Sequence, residues 1–313
     1  MGSEILAMTV NTSKKYIFFL VITACLFPLR VDAATTFHKD TILRQDTLWS
    51  GEILIEGVVV VGSGVTLTIS PGTKVRFKKT DRNKDSIGDS EIRVLGSIKA
   101  QGTPENRIHF LSASPHPQPA DWSYLLIFGS GAENIIQHCI FEHGFTGLQI
   151  HFSVARVYDC LFRNNREAIR FGRGDIVIEH NTITGNDTGI RFTRMEGPVV
   201  IRFNTITLNR MGVFLVPSGQ NITDFFEPGR AGKPWNTGHL LIMANNIHDN
   251  SLYNLNLGDK QLWDLEITKN WWGTKEKNRI AESIFDKNRE DSLGKALIEP
   301  FLNKPLAEAG VRW

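Results

Sequence analysis

Two arginines, Arg170 and Arg191, occupy the same place in two consecutive returns of a short repeated pattern. Each is the middle residue of the triplet Ile-Arg-Phe. In a strand, this alternation buries the two apolar residues on one side and turns the arginine toward solvent. Because the planar guanidinium matches a carboxylate, stacked outward arginines are suited to binding an acidic ligand such as a uronate-rich glycan.

Equivalent apolar-x-apolar triplets occur in three other returns and predict one column of outward side chains. The members of the column are Gln149, Arg170, Arg191, Phe214 and Asn256. We take this column as the candidate ligand-binding face. The alternative is that the arginines are ordinary solvent-facing residues, neutralised by acidic side chains in the same coils. Those acidic residues are Glu167, Asp175, Glu179 and Asp187.

A long insert, residues 217–238, follows directly after the triplet that contains Phe214. Connections of this length are frequently functional. The insert carries Phe225, Phe226 and Trp235, whose rings could overhang the outward column and stack on sugar faces. The alternative is that these rings fold back onto the body of the protein. We include the three aromatic residues among the candidate ligand-binding residues.

An acidic loop between two apolar segments offers a second kind of chemistry. Its oxygen-bearing side chains are Asp81, Asn83, Asp85, Asp89 and Glu91. Loops of this composition wrap Ca²⁺, which prefers oxygen ligands. The match to an EF-hand is imperfect, because Ser86 stands where glycine is required and Ile92 occupies the twelfth position. Calcium is therefore the one cofactor that the sequence suggests, although we favour a solvated polar loop over a calcium site.

The elements that must position these residues come from the repeat itself. The returns place one column residue every 21 to 25 positions, with one interval of 41. The column consists of Cys139, Cys160, Asn181, Asn204, Asn245 and Asn270. A repeat this short cannot bury its own apolar face and must stack on its neighbours, which predicts a solenoid. Stacked carboxamides bond to one another, so we read the column asparagines as structural and exclude them from any catalytic site.

A second column lies five residues further along each coil. Its members are Asn165, Asn186, Asn209 and Asn250, which we interpret as turn formers with positive φ. For Cys139 and Cys160 we favour buried free thiols over a disulfide, because stacked parallel side chains are a poor starting geometry for the bridge.

Several segments resemble right-handed parallel β-helix proteins of the pectin-lyase-like class, especially secreted bacterial members. The resemblance rests on VTLTISPGTKVRF from Val65, IRVLGSIKAQGTPENRIHF from Ile92, the asparagine column and the closing NWWGT. It covers roughly residues 45–305 and implies an all-β solenoid of parallel strands. It also implies that a ligand groove runs along the face carrying the outward triplets, because enzymes of this class bind polysaccharides there. A leucine-rich repeat has a similar period, but its LxxLxLxxN signature is lacking.

The chain divides into three parts. Residues 1–33 read as a signal peptide, with Lys14 and Lys15 before an apolar run and small residues up to Ala33. The run is too short to span a membrane, so we expect no transmembrane span in the mature chain and a secreted, periplasmic or envelope location. A lipobox-like segment ending at Cys25 leaves a lipoprotein as the alternative. Residues 34–274 are predicted to form the β-helix. Residues 275–313 are predicted to form a C-terminal cap or tail with a short amphipathic helix at 275–287.

The sequence favours a binding protein over an enzyme. A glycoside hydrolase needs two carboxylates about 5 to 9.5 Å apart, and the outward column carries none. The nearest acids, Glu142 and Glu167, are expected in turns. We therefore predict a non-catalytic protein that binds an anionic polysaccharide or an envelope protein. The alternative is a polysaccharide lyase or glycoside hydrolase acting on a uronate-rich polysaccharide. A formal net charge of +2 gives no reason to expect nucleic acid as a partner.

Overall fold

The computed structural model describes residues 35–193, 197–216, 240–258 and 261–313. In this part of the chain nearly all regular structure is β-strand, with one short helix, α1 (Lys277–Glu282). The strands are β1 (Thr36–Leu43), β2 (Thr47–Trp49), β3 (Glu52–Val61), β4 (Thr66–Ile69), β5 (Lys74–Phe77), β6 (Glu91–Val94), β7 (Ser97–Gln101), β8 (Ile108–Ser112), β9 (Trp122–Phe128), β10 (Glu133–Gln137), β11 (Cys139–Glu142), β12 (Gly144–His151), β13 (Ser153–Tyr158), β14 (Leu161–Arg163), β15 (Glu167–Phe171), β16 (Gly174–Glu179), β17 (Thr182–Thr184), β18 (Thr188–Phe192), β19 (Val199–Arg202), β20 (Thr205–Thr207), β21 (Met211–Leu215), β22 (Leu240–Ile242), β23 (Asn246–His248), β24 (Tyr253–Asn256), β25 (Leu265–Glu266), β26 (Ile284–Phe285) and β27 (Ala296–Leu297).

The strands stack in parallel on three faces of a solenoid, as the repeat predicts. The first face is the sheet β2-β4-β7-β10-β13-β16-β19-β22. The second face carries the short strands β5, β8, β11, β14, β17, β20 and β23. The third face, which we call the wall, carries β6, β9, β12, β15, β18, β21, β24 and β26. The long strand β3 pairs with β5 through its first half and with β6 through its second half, so it bends from the second face into the wall.

The core is a continuous apolar column inside the solenoid. Stacked rings run along it, with centroids 4.6 Å apart for Phe110 and Phe141 and 4.7 Å apart for Phe141 and Phe162. A second stack joins Phe171 to Phe192 at 5.4 Å. These rings are fully buried, and each such side chain contributes about 1.5–3 kcal/mol by leaving water. Since each coil covers the next, the stacked coils supply the core that one coil lacks.

The asparagine column forms a hydrogen-bonded ladder at the corner before the second face. The backbone N–H and Nδ2 of Asn181 both donate to Oδ1 of Asn204, at 2.9 and 3.0 Å. The same pair of bonds joins Asn204 to Asn245 and Asn245 to Asn270. All four side chains are buried. The structural interpretation of this column is confirmed.

The second column, interpreted as positive-φ turn formers, is a second ladder, and that interpretation was wrong. Asn165 donates to Oδ1 of Asn186, Asn186 to Asn209, and Asn209 to Asn250, all at 2.9 to 3.0 Å. The positive φ falls instead on the residue just before each asparagine. Those residues are Asn164, Gly185, Leu208 and Asp249. The left-handed residue turns the chain so that the next side chain points inward along the ladder.

Both cysteines of the first column are buried free thiols. Cys160 continues the ladder, because its N–H donates to Oδ1 of Asn181 at 2.9 Å while its Sγ accepts from the N–H of Cys139 at 3.4 Å. Burial raises the pKa of the Cys139 thiol, and its contact with Cys160 adds to the effect. The two thiols therefore act as small buried steps in the ladder.

The chain after the last regular coil contains one short helix and three short strands, β25, β26 and β27. The predicted amphipathic helix is present but short, since α1 covers only Lys277–Glu282 and buries Ile280. Ile284 belongs to the strand β26, which pairs with β24, so the wall continues past the helix. The strands β25 and β27 pair beside it. Within the described residues, no helix is both long enough and apolar enough to cross a membrane.

The final residues 306–313 run back across the coils as a strap. Leu306 exchanges two hydrogen bonds with the side chain of Asn246, and Gly310 donates to the carbonyl of Phe203. Arg312 then holds the buried Asp159 with two bonds of 2.8 and 2.7 Å. The carboxylate raises the pKa of Arg312. The strap thus ties several coils together along the corner of the first ladder.

Candidate functional site

The predicted outward residues lie in register on the wall. Gln149 pairs with Arg170, Arg170 with Arg191, Arg191 with Phe214, and Phe214 with Asn256. The same register extends the column in both directions. Its members in order are Ile42, Val60, Arg93, Leu126, Gln149, Arg170, Arg191, Phe214, Asn256 and Phe285. Parallel strands set these side chains about 4.8 Å apart along the solenoid.

Arg191 is tied to an acid on the wall itself. Its Nη1 forms an ion pair with Glu167, whose other oxygen accepts from Thr146 at 3.2 Å. Glu167 was expected in a turn, but it is the first residue of β15 and is 7% exposed. On its other side, the Arg191 guanidinium lies 6.0 Å from the ring of Phe214. For Arg191, the alternative interpretation is therefore correct: its charge is neutralised locally by Glu167.

Two of the other acids named as neutralising partners lie on the first face and not on the wall. Asp175 binds Arg156 at 2.8 Å and Glu179 binds Arg202, both on the sheet of the first face. On the wall, Gln149 lies 2.9 Å from the ring nitrogen of the buried His151. The wall therefore combines arginine, amide and aromatic groups that are half-buried rather than freely solvated.

Two glycines near the start of wall strands lie in close contact with the backbone of the next coil. At Gly189 an added Cβ would lie 2.5 Å from the carbonyl oxygen of Gly212, and at Gly212 it would lie 2.6 Å from that of Asn254. No ordinary side chain tolerates such a distance, so only glycine fits at these two positions of β18 and β21.

The acidic loop turns most of its oxygens onto its own backbone. The carboxylate of Asp81 accepts from the N–H groups of Asp85 and Ser86, and Asp89 accepts from the N–H of Arg82 at 2.6 Å. Asn83 donates to Asp85 at 3.0 Å. Among the residues that the structure describes, no group of three or more His, Cys, Asp or Glu side chains could hold a metal ion. The described geometry thus gives the calcium expectation no support.

Glu91, the fifth residue of that expectation, belongs to a different constellation. It is the first residue of β6, is 3% exposed, and forms an ion pair with Arg93. Burial raises the pKa of Glu91, and the neighbouring Arg93 and Tyr124 oppose that rise. The pKa of Tyr124 is raised as well, by its burial and then by Glu91. A cleft of about 460 Å³ opens over this group, between the acidic loop and the wall.

Sequence reasoning missed this cleft because two separate patterns meet in it. The sequence offered the loop only as a solvated loop or a calcium site, and Arg93 was not placed in the outward column because its coil precedes the regular repeats. The register of β6 with β9 was the missing signal, since it brings Arg93 beside Leu126 and so onto the wall.

The two buried acids of the wall do not form a hydrolase pair. Glu91 pairs with Val58, and Glu167 pairs with Thr146, which pairs with Tyr124. Since Tyr124 lies in the strand next to Glu91, the two acids are about three coils, or roughly 14 Å, apart. That exceeds the ~9.5 Å at which two carboxylates serve one glycosidic bond.

The predicted stacking residues Phe225, Phe226 and Trp235 lie outside the described residues, as do Cys25 and residues 1–33, which the sequence predicts to be a signal peptide.

The parallel faces and buried ladders define the class of protein. A family model described as a right-handed beta helix region matches residues 120–227, which include the regular coils and the arginine pair. This chain is a right-handed parallel β-helix repeat protein. Comparisons with curated proteins and with solved structures give no match.

Proposed function

We propose that this protein is an exported, non-catalytic β-helix protein that binds an anionic polysaccharide along the wall. The observation that carries the proposal is the in-register outward column, in which Gln149, Arg170, Arg191, Phe214 and Asn256 occupy successive coils. A polymer lying along the solenoid axis meets one of these side chains at each coil. Export is proposed from the signal-like residues 1–33.

The chemistry of the column suits an acidic sugar chain. Arg191 offers five N–H donors, and its bond to Glu167 uses only part of that capacity. The neighbouring ring of Phe214 is half-buried and can stack against the apolar face of a sugar. A neutral amide stands at each end of the run, Gln149 and Asn256, and can pair with hydroxyl groups.

The wall also argues against cleavage at this place. The outward column contains no acid, and Glu167 is occupied by Arg191 and Thr146. A hydrolase or lyase needs a proton acceptor within hydrogen-bond reach of the reacting bond. The ring of His151 lies beside the column, but it is buried and contacts Gln149, so the wall supports retention of a glycan better than its breakdown.

The test uses the purified chain and a set of soluble polymers. Affinity electrophoresis and calorimetry would compare polygalacturonate and alginate with neutral dextran. We expect binding to the two polyuronates, weakened at least tenfold by the double variant Arg170→Gln, Arg191→Gln. The matched control is Arg202→Gln, which removes one arginine from the first face and should leave binding within about twofold.

Two results would overturn the proposal. The first is equal polyuronate binding by the wild type and the double variant. The second is a steady rise in ultraviolet absorbance or in reducing ends during incubation, which would establish the lyase or hydrolase alternative.

A further inference from the structure

The wall continues past the regular coils and ends in two aromatic rings. The strand β26 pairs with β24 in parallel, so Phe285 takes the outward position that follows Asn256. Tyr253, the first residue of β24, pairs with Met211 in the column that holds Glu167 three coils earlier. The rings of Tyr253 and Phe285 are half-buried, and their centroids lie 5.4 Å apart. The C-terminal end of the wall is therefore an aromatic surface.

A guanidinium is fixed beside these rings. Nε of Arg289 donates to the carbonyl of Ile284 at 3.2 Å, and Nη2 donates to the carbonyl of Glu282 at 2.8 Å. The guanidinium carbon lies 5.7 Å from the centroid of the Tyr253 ring, within the range of a cation–π contact. Two backbone carbonyls and one ring face thus hold the charge of Arg289 in place before a ligand binds.

The turn that carries Arg289 is built around a buried acid. Asp286 is 2% exposed, and its carboxylate accepts from the N–H groups of Asn288 and Ala296, both at 2.9 Å. The carbonyl of Asp286 accepts from the N–H of Arg289, also at 2.9 Å. Because the carboxylate is buried and already bonded, it fixes the backbone beneath the arginine.

The charge of Arg289 is balanced differently from that of Arg191. Arg191 is paired with Glu167. Within the part of the chain that the structure describes, no carboxylate forms an ion pair with Arg289, whose guanidinium contacts two neutral carbonyls and a ring. Those carbonyls leave Nη1 and one N–H of Nη2 available as donors. A carboxylate is the group that best matches such a planar, charged pair of donors.

We propose that Arg289, Tyr253 and Phe285 form a second acidic-sugar subsite, which we call the end subsite, so that the ligand is a linear polyuronate reaching from Arg191 to Arg289. The guanidinium binds a sugar carboxylate, and the rings stack against the sugar. The outward positions of Arg191 and Phe285 are three coils, or roughly 14 Å, apart, which is too far for one sugar ring to contact both.

This inference rests on the proposed binding of an anionic polysaccharide along the wall, and it specifies the ligand further. A ligand with one acidic unit can fill one subsite only. A chain with a carboxylate on each unit can fill both, and its second contact is then intramolecular. Affinity should therefore rise with chain length until the ligand reaches the end subsite.

The experiment titrates digalacturonate and decagalacturonate into the purified full chain and measures both affinities by calorimetry. The wild type should bind the decamer at least tenfold more tightly than the dimer, because only the decamer links the two subsites. Arg289→Gln should weaken decamer binding by about tenfold and so remove most of the gain from chain length.

The matched control is Arg279→Gln, the same loss of charge at an exposed arginine of α1, and it should leave decamer binding within about twofold of the wild type. Phe285→Leu keeps an apolar side chain but removes the aromatic face, and it should weaken decamer binding about threefold. Melting curves show whether the variants fold, and Phe285→Leu carries the test if Arg289→Gln does not fold.

The end subsite is overturned if Arg289→Gln or Phe285→Leu binds the decamer as tightly as the wild type. It is also overturned if Arg279→Gln is equally harmful, or if the dimer binds as tightly as the decamer. These results leave the wall function standing as long as the double variant Arg170→Gln, Arg191→Gln still weakens binding. Absence of decamer binding in the wild type is a different result, which removes the wall function and the end subsite together.

Discussion

The asparagine ladders and the outward wall column arise from the same repeat, yet they differ in what satisfies their polar groups. In the ladders each carboxamide bonds to the next coil and to the backbone, and Asn204, for example, donates to Ile178 and Arg202 as well as to Asn245. On the wall, equivalent positions hold different residue types with different partners. The interior is thus uniform because a buried polar group must be paired in every coil.

The wall is free to vary for the opposite reason. A half-exposed side chain can complete its hydrogen bonds with water, so nothing in the fold requires arginine, phenylalanine or asparagine at a given coil. Under the proposed function, variation on the wall would set ligand specificity, while the regularity of the ladders stabilises the fold. The following changes test that division, and they begin with the largest expected effect.

Asn204→Ala should destabilise the fold by about 3–5 kcal/mol, because it leaves the buried donors of Asn181 and the carbonyls of Ile178 and Arg202 without their partner. Urea denaturation followed by circular dichroism measures the loss. Lys99→Ala, on an exposed position of the first face, is the control and should change stability by less than about 0.5 kcal/mol. Equal effects of the two variants would contradict the structural role of the ladder.

Arg312→Ala should cost about 1–2 kcal/mol, because it leaves the buried carboxylate of Asp159 without its ion partner. The value is discounted because the Arg312 side chain is 55% exposed. Hydrogen exchange should accelerate under the strap, at Thr182 and Thr205, and not in the wall strands. Unchanged exchange at both threonines would show that the strap does not restrain the ladder corner.

Glu167→Gln should increase polyuronate affinity about threefold to tenfold, since it releases Arg191 from its carboxylate partner. The salt dependence of binding should become steeper in the same titration. Glu142→Gln, which frees Arg163 at the end of β14 on the second face, is the control and should have little effect. A weaker affinity in Glu167→Gln would mean that the ion pair positions the arginine for binding.

Acid should destabilise the folded protein through its histidines. Burial lowers the pKa of both His109 and His143 below the ordinary 6.5. The unfolded chain then binds more protons, so the stability from these groups is complete above pH 6.5 and is lost as the pH falls below it. The melting temperature should fall as the pH is lowered from 7.5 to 5. The melting temperature of His109→Gln should fall less steeply over the same range. An identical slope for this variant would exclude His109 as a contributor.

Cys160→Asn should change stability by no more than about 1 kcal/mol, because the position already follows the ladder geometry. Its Sγ faces the carbonyl of Tyr158 at 3.0 Å, where a carboxamide Nδ2 would donate. Asn181→Cys is the reverse change and should be clearly more harmful, because it removes the donors to Val157 and Glu179. Thermal melting of the two variants side by side decides whether the column tolerates one exchange and not the other.

Much of the fold could be predicted because burial imposes a period. Ile178, Ile201 and Ile242 each lie three residues before an asparagine of the first column, and the register pairs them as expected. The outward column followed from the same repeat. The prediction of a helix at 275–287 was only partly right. Ile284 belongs to a strand that pairs with the wall, and a local apolar pattern does not report such a tertiary contact.

The amino-acid sequence by itself determined the solenoid, the first ladder and the order of residues along the wall, since all three follow from a repeated choice between burial and solvent. Only the tertiary structure decided that Glu167 holds Arg191, that Asp159 receives Arg312, and that Glu91 forms the floor of a cleft. These contacts join residues from different coils or from the tail. They depend on side-chain direction and loop path, which a repeat period does not encode.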